Sequence, residues 1–212
     1  MKILKINSEN LKIVIDSIKK SGVIIYPTDT VYGLIADATN KNAVKKVFKI
    51  KKRNIKKPLP VFVKDIKAAK KLANIGKDQE EFLKKFWPGK LTAVLKIKSL
   101  KLPKGIISEE SKIGLRIPDY EFLNLLLNKL DCPLIATSAN IAGKKASRKI
   151  RRVLKQFETA KNQPDLVLDA GNLKQALPST VVDLEDFKIL RKGPISQKQI
   201  SGFLEKKISV LS

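Results

Sequence analysis

Residues 22–34 read GVIIYPTDTVYGL, and this stretch decides the fold class. Val23-Ile24-Ile25-Tyr26 is an unbroken apolar run of β-branched and aromatic residues, too short for a helix, and reads as a buried strand. Pro27 has no backbone N–H to give a neighbouring strand, so the strand stops there. Just before it, residues 8–21 have helical spacing. Leu11, Val14, Ile15 and Ile18 share one face, Ser8 stands where an N-cap belongs, and Gly22 closes the end. A helix that feeds a buried strand, whose far end opens into Thr28, Asp29 and Thr30, is the building unit of an α/β protein.

The alternation continues outward. Ala43, Val44, Val47 and Phe48 carry helical spacing, and a basic loop, KKRNIKK (51–57), leads into a strand over 59–63. Helices are expected near 64–72 and 80–86, a Pro88-Gly89 turn after them, then a strand over 91–97. Residues 99–112, rich in Lys, Ser, Pro and Gly, read as a loop. Beyond it come a strand (113–117), a helix (121–130), a strand (134–137) and a helix (149–157). A surface loop (158–165) and three short strands at 166–168, 180–184 and 188–190 follow. Ser196 and Gln199 have the spacing of a capping box and open the last helix, with Ile200, Phe203 and Leu204 inside. The late strands follow one another too closely for helical crossovers. The expectation is therefore one α/β domain over residues 1–212, with a twisted mixed open sheet flanked by helices.

Composition narrows the chemistry. The 212 residues include 44 Lys plus Arg, 20 Asp plus Glu and no histidine, a formal charge of +24. Without histidine there is no Ser-His-Asp triad, no Cys-His pair, no histidine-ligated zinc and no imidazole base. One cysteine, Cys132 in the apolar run DCPLIA, rules out an intramolecular disulfide and reads as a buried structural thiol. The first residues lack the apolar core of a signal peptide, and no run approaches ~18 apolar residues, so a cytoplasmic protein with no membrane partner is expected. Only six of the 44 cations are arginine. A lysine excess is read first as solvated helix faces, with a surface for polyphosphate or RNA as the alternative.

Polar clusters sit where strands end: Thr28-Asp29-Thr30, then Thr137-Ser138-Ala139-Asn140, then Pro178-Ser179-Thr180. Arg116 lies in the strand IGLRIP and Arg191 directly follows KIL. Ser, Thr and Asn are ordinary turn formers, but strand-terminal crevices are also where open α/β sheets bind ligands. Hydroxyls, an amide and guanidinium groups suit carboxylate, amino and phosphate groups. Neither GxxxxGK[ST] nor GxGxxG occurs, and no metal-ligand constellation is present, so no metal site is expected from protein side chains. Any magnesium would arrive with the phosphates of a nucleotide.

In order along the chain stand YPTDTVYGL, KKRNIKKPLPVFV, FWPGKLTAVL, GLRIP, PLIATSANIAG, PSTVVDL and ILRKGPI. Each motif is modest; seven in register resemble the YrdC-like family of threonylcarbamoyl-adenylate synthases from about Val23 to Ile195. The resemblance implies a YrdC-like α/β fold with a basic concave cleft, and the short branch of the family. It implies the conversion of ATP, L-threonine and bicarbonate to threonylcarbamoyl-AMP and pyrophosphate, with Mg2+ on the ATP. That is the first step of the threonylcarbamoyl modification of adenosine 37 in tRNA. A downstream tRNA threonylcarbamoyl transferase is implied as a partner, and tRNA itself stays open as a ligand. Motif by motif, Thr30, Arg116, Ser138 and Ser179 would hold threonine. Lys51, Arg53, Lys57, Lys112, Asn140, Arg148 and Arg191 would hold ATP, with Lys51 and Arg53 in the catalytic role. The chain departs from the family at Asn54, where a proline is usual, and at Phe62, where many members carry a substrate-facing histidine. At Lys112 and Arg148 small hydroxyl residues are common.

The implied chemistry suits these residues. A threonine amine reacts with bicarbonate-derived CO₂ to a carbamate, whose oxygen attacks the α-phosphorus of ATP. Both steps need alignment and charge neutralisation more than an enzymic nucleophile. A non-catalytic basic RNA-binding protein of the same fold is the alternative, although the sparse aromatics (6%) are not interleaved with the cations as in a stacking platform. A carbamoyl-adenylate module of the hydrogenase-maturation kind is a third reading, and those modules normally sit in much larger chains.

Overall fold

The computed structural model describes residues 1–98 and 102–211, with side chains through Glu205. Of the expected loop over 99–112, the first three residues lie outside the described ones.

Helix α1 (Ser8–Lys19) is capped by Asn7, whose side-chain oxygen accepts from the Asn10 N–H at 3.0 Å, so the cap sits one residue before the expected Ser8. It is preceded by a strand that the sequence reading missed, β1 (Lys2–Lys5). After α1 come β2 (Ile24–Tyr26) and, across the Thr28–Thr30 loop, a second unexpected strand, β3 (Gly33–Ile35). Helix α2 (Lys41–Lys51) is capped by Asn40 and ends where Lys52 turns left-handed (φ 49). Lys51 is thus the last residue of a helix, not the first of a loop. Next are β4 (Val61–Phe62), α3 (Ile66–Leu72), α4 (Lys77–Phe86), β5 (Leu91–Lys96) and β6 (Lys112–Arg116). Helix α5 (Glu121–Leu130) has the expected bounds. The strand expected over 134–137 is two, β7 (Leu134–Ile135) and β8 (Thr137–Ser138). Then follow α6 (Ile150–Leu154), β9 (Leu166–Asp169), β10 (Thr180–Asp183), β11 (Lys188–Arg191) and α7 (Gln197–Leu211). The Ser196–Gln199 capping box opens α7 as expected: the Ser196 N–H donates to Gln199 Oε1 at 2.9 Å.

The strands form two mixed sheets. One runs β1-β9-β2-β3-β8 and the other β11-β10-β5-β6-β4-β7. Residues 134–138 join them: β7 pairs with β4 in the second sheet, and three residues later β8 pairs with β3 in the first. The break at Ala136 lets one extended segment change partners, and it folds the two sheets around a common concave face. Gly33 permits the close approach there, because a Cβ on it would meet the Thr137 carbonyl oxygen at 3.0 Å.

Two apolar clusters hold the frame. The larger packs α2, α4 and α7 against the second sheet, around Val47, Phe82, Leu91, Leu115 and Ile200; the smaller packs α1 and α5 on the other side, around Ile18, Tyr26 and Leu126. Phe82 is fully buried, with the rings of Phe86, Phe187 and Phe203 about it at 4.7–5.2 Å between centroids. Cys132 packs on the smaller cluster, half-buried; burial first, then Asp37, pushes its thiol up to about 12, as expected of an inert structural thiol. No helix among the described residues is long and apolar enough to cross a membrane.

Candidate active site

A cleft of about 650 Å³ opens on the concave face between the two sheets. It takes one wall from the 28–33 segment and β8, its floor from β5, β6 and β4, and its far wall from β10, β11 and the turn before β10. Of the side chains expected in the site, it is lined by Thr30, Arg53, Lys112, Arg116, Ser138, Ser179 and Arg191. Lys51, Lys57, Asn140 and Arg148 are not on its wall.

The Thr28–Thr30 loop has a fixed hydrogen-bond polarity. Thr28 Oγ1 donates its one proton to the Val31 carbonyl at 2.8 Å, so the 2.9 Å contact between the two hydroxyls must be donated by Thr30. Thr28 Oγ1 also accepts the Thr30 N–H at 3.0 Å. Thr30 is left facing the cleft as an acceptor, matched to an ammonium or hydroxyl proton. Tyr32, fully buried, ties this loop to the turn after β9. Its hydroxyl donates to the Gly171 carbonyl at 2.8 Å and accepts from the Ala170 N–H at 3.0 Å.

Arg116 is buried, 4% exposed, at the C-terminal end of β6. Its Nε donates to the Gly89 carbonyl at 2.8 Å. Its Nη2 donates to both carboxylate oxygens of Asp29, to Oδ1 at 2.6 Å. The Phe62 ring centroid lies 5.7 Å from the guanidinium carbon. Burial raises the Asp29 carboxyl and lowers the Arg116 guanidinium from their ordinary values, and each partner offsets that for the other.

Lys51 follows the apolar face of α2, Val44–Val47–Phe48–Lys51, inward and is 2% exposed. Its ammonium donates to the carbonyls of Ser138 and Asn140, the latter at 3.0 Å, and to Asn140 Oδ1 at 3.2 Å. Its own carbonyl accepts from the Ala142 N–H at 2.7 Å. It grips the 138–142 turn from behind the cleft wall. Burial, with Arg53's charge second, pushes its pKa down to about 7. Asn140 is spent inside the same turn, donating to the Lys144 carbonyl at 2.6 Å. Lys57 is exposed, and the Arg148 guanidinium turns to the Leu173 carbonyl at 3.5 Å.

On the far wall Arg191 donates through Nε and Nη2 to the Ser179 carbonyl, at 3.1 and 2.8 Å, and through Nη2 to Ser179 Oγ at 3.0 Å. Thr92 Oγ1 lies 2.9 Å from the same hydroxyl. Gly193 lets this strand lie against the Pro178–Thr180 backbone, since a Cβ there would meet Thr180 N at 2.4 Å. Thr92 was missed as a site residue, and Asp29, named within the Thr28–Thr30 polar cluster, was given no role of its own. The alternation in LTAVL puts Thr92 and Val94 on the cleft face of β5, which was the available signal; nothing in sequence ties Asp29 to Arg116. Lys112 lines the cleft with its ammonium on Asp183 (2.6 Å) and Glu185 (2.8 Å), which hold it above the ordinary lysine range. Among the described residues no group of three or more acidic, Cys or His side chains is placed to hold a metal ion.

Known proteins match this chain over most of its length. The Sua5/YciO/YrdC family model, described as "Telomere recombination", matches residues 16–193. A Methanocaldococcus jannaschii protein that bears the name threonylcarbamoyl-AMP synthase provisionally is 36% identical over 209 residues, covering 95% of this chain and 96% of its own. The Pyrococcus abyssi threonylcarbamoyl-AMP synthase is 32% identical over 199 residues, 92% of this chain and 57% of its own, so this chain spans little more than half of that relative. The crystal structure of Pyrococcus abyssi Sua5 complexed with L-threonine superposes with a TM-score of 0.85 at 30% identity, over 96% of this chain and 59% of the other.

Proposed function

Because the chain belongs to the Sua5/YciO/YrdC family, we propose that it is an L-threonylcarbamoyladenylate synthase, an adenylyl-transferring enzyme. Its substrates are ATP, L-threonine and bicarbonate, and its reaction is the first step of tRNA threonylcarbamoyladenosine formation. The observation that carries the reading is that one cleft gathers two sets of side chains. Thr30, Arg116, Ser138 and Ser179 offer a guanidinium and hydroxyls suited to an amino acid, and Arg53 and Arg191 line the same cleft with charge suited to phosphates, the two sets meeting where Arg191 donates to Ser179.

Threonine's carboxylate takes the Arg116 guanidinium, and the Thr30 oxygen accepts a proton from the amino group or the side-chain hydroxyl. The free amine adds CO₂, losing a proton, and becomes a carbamate. A carbamate oxygen attacks the α-phosphorus, the bond from that phosphorus to the bridging oxygen breaks, and pyrophosphate leaves. Arg53 and Arg191 offset the charge gathering on the phosphates, and the walls keep water from a carbamate and an adenylate that both hydrolyse. Magnesium bound to the ATP phosphates supplies further charge neutralisation. Lys51 serves through the 138–142 turn, as a positioning residue for Ser138. The released adenylate is the substrate for a downstream transferase acting on tRNA.

The test is the product itself. Protein incubated with ATP, magnesium, L-threonine and ¹³C-bicarbonate should yield threonylcarbamoyl-AMP carrying the label, seen by mass spectrometry. Folded protein that binds RNA but makes no labelled product would favour the non-catalytic alternative.

A further inference from the structure

Among the described residues four cationic side chains line the cleft, and they divide into two kinds. Arg116 and Lys112 each carry carboxylate partners, Asp29 for the first and Asp183 with Glu185 for the second. Arg53 and Arg191 reach only neutral acceptors: the Lys57 and Pro58 carbonyls for one, the Ser179 carbonyl and hydroxyl for the other. From this partition we infer that Asp29 makes the Arg116 region of the cleft a site for a zwitterion rather than for an anion, and so sorts the amino acid from the phosphates. The inference rests on the synthase reading above and adds a specificity-determining residue to it.

The physics is local. Asp29 and Arg116 side chains are 8% and 5% exposed, so water and salt screen their fields little. An anion approaching Arg116 is attracted by the guanidinium and repelled by the carboxylate just behind it, and gains little. A zwitterion gains twice, its carboxylate on Arg116 and its ammonium in the field of Asp29. The more distant charges acting on Arg116, those of Arg191 and Asp119, oppose each other in the same way. Asp29 is not on the cleft wall, so it acts through Arg116, fixed from one side by the Gly89 carbonyl, and through its charge. Arg53 and Arg191 have no such counter-charge among the described residues, and polyphosphate is drawn to them.

The experiment is titration calorimetry with three probes: L-threonine, 3-hydroxybutanoate (threonine without its amine) and inorganic pyrophosphate. The native protein is expected to bind threonine at least about 30-fold tighter than 3-hydroxybutanoate, and pyrophosphate should not displace threonine. In Asp29→Asn the preference should fall to about 3-fold or less, with pyrophosphate now competing. In turnover the variant's KM for threonine should rise more than kcat falls; the lost preference over 3-hydroxybutanoate is the readout that mere loosening of the fold would not produce. A native protein that binds threonine and 3-hydroxybutanoate equally overturns the inference without any variant, so a poorly folding Asp29→Asn does not shield it. Threonine binding with an unchanged preference in Asp29→Asn overturns it too, and leaves the synthase reading standing. Absence of threonine binding by the folded native protein removes both.

Discussion

Replacing Lys51 by methionine should change how stability depends on pH. The ammonium is buried, and its pKa in the folded chain is pushed down to about 7, against an ordinary 10.5 when unfolded. Below pH 7 both states are protonated, and the folded state carries the whole penalty of a buried charge. Between pH 7 and 10.5 the unfolded chain binds more protons, so Lys51 makes stability rise with pH, by at most about 1.4 kcal/mol per unit. Over pH 7.5–9.5 that is about 2–3 kcal/mol at the full drop. The three oxygens that take its N–H groups favour the ammonium, so the measured rise should fall between about 1 kcal/mol and that ceiling. Cys132 and the buried tyrosines Tyr26 and Tyr32, whose values burial holds up, pull stability the other way in the same region. They are common to both proteins and cancel in the difference. Urea unfolding at half-unit pH steps, native against Lys51→Met, reads it directly. The native curve should gain on the variant as pH rises; parallel curves would refute the buried-ammonium argument.

Four further variants have definite expected outcomes. Tyr32→Phe removes the pairings to Ala170 and Gly171 and should cost about 1–3 kcal/mol in urea unfolding. Its KM for threonine should also rise, as the segment leading to Ser179 loosens. Phe82→Ala should cost about 3–5 kcal/mol by the same assay while kcat per folded molecule stays unchanged, because its ring contacts lie away from the cleft. In calorimetry Arg53→Ala should weaken ATP binding about 10–100-fold and spare threonine. Arg191→Ala should weaken both, since that side chain also holds Ser179.

The elements with a repeating apolar face were legible in sequence; two short strands without one were not. Helix α5 has the bounds its leucines mark. Strand β1 leaves Lys2, Ile3 and Lys5 exposed and is held by its ladder with β9, so no apolar pattern announced it. Strand β3 opens with Gly33, a residue that reads as a turn, and its pairing with β2 and β8 is tertiary. In the site, Thr30, Arg116, Ser138, Ser179, Arg53 and Arg191 do converge on one cleft, and the order of seven motifs was what brought them together on paper. The basic run 51–57 hid two different lysines. Lys51 continues the Val44–Val47–Phe48 spacing into the core, a signal that its neighbours' charge obscured, while Lys57 is exposed. Lys112, expected to meet ATP, is occupied by Asp183 and Glu185, which lie 71 and 73 residues further along the chain. No local pattern could pair those groups, nor Asp29 with Arg116 87 residues away.

The most direct test of the account is pyrophosphate release from ATP by purified protein with magnesium and bicarbonate, comparing L-threonine with serine, valine and no amino acid. Release should depend on threonine and be lost in Arg53→Ala and Arg116→Ala. Release that is the same with valine or with no amino acid, or none under any condition from folded protein, would contradict it.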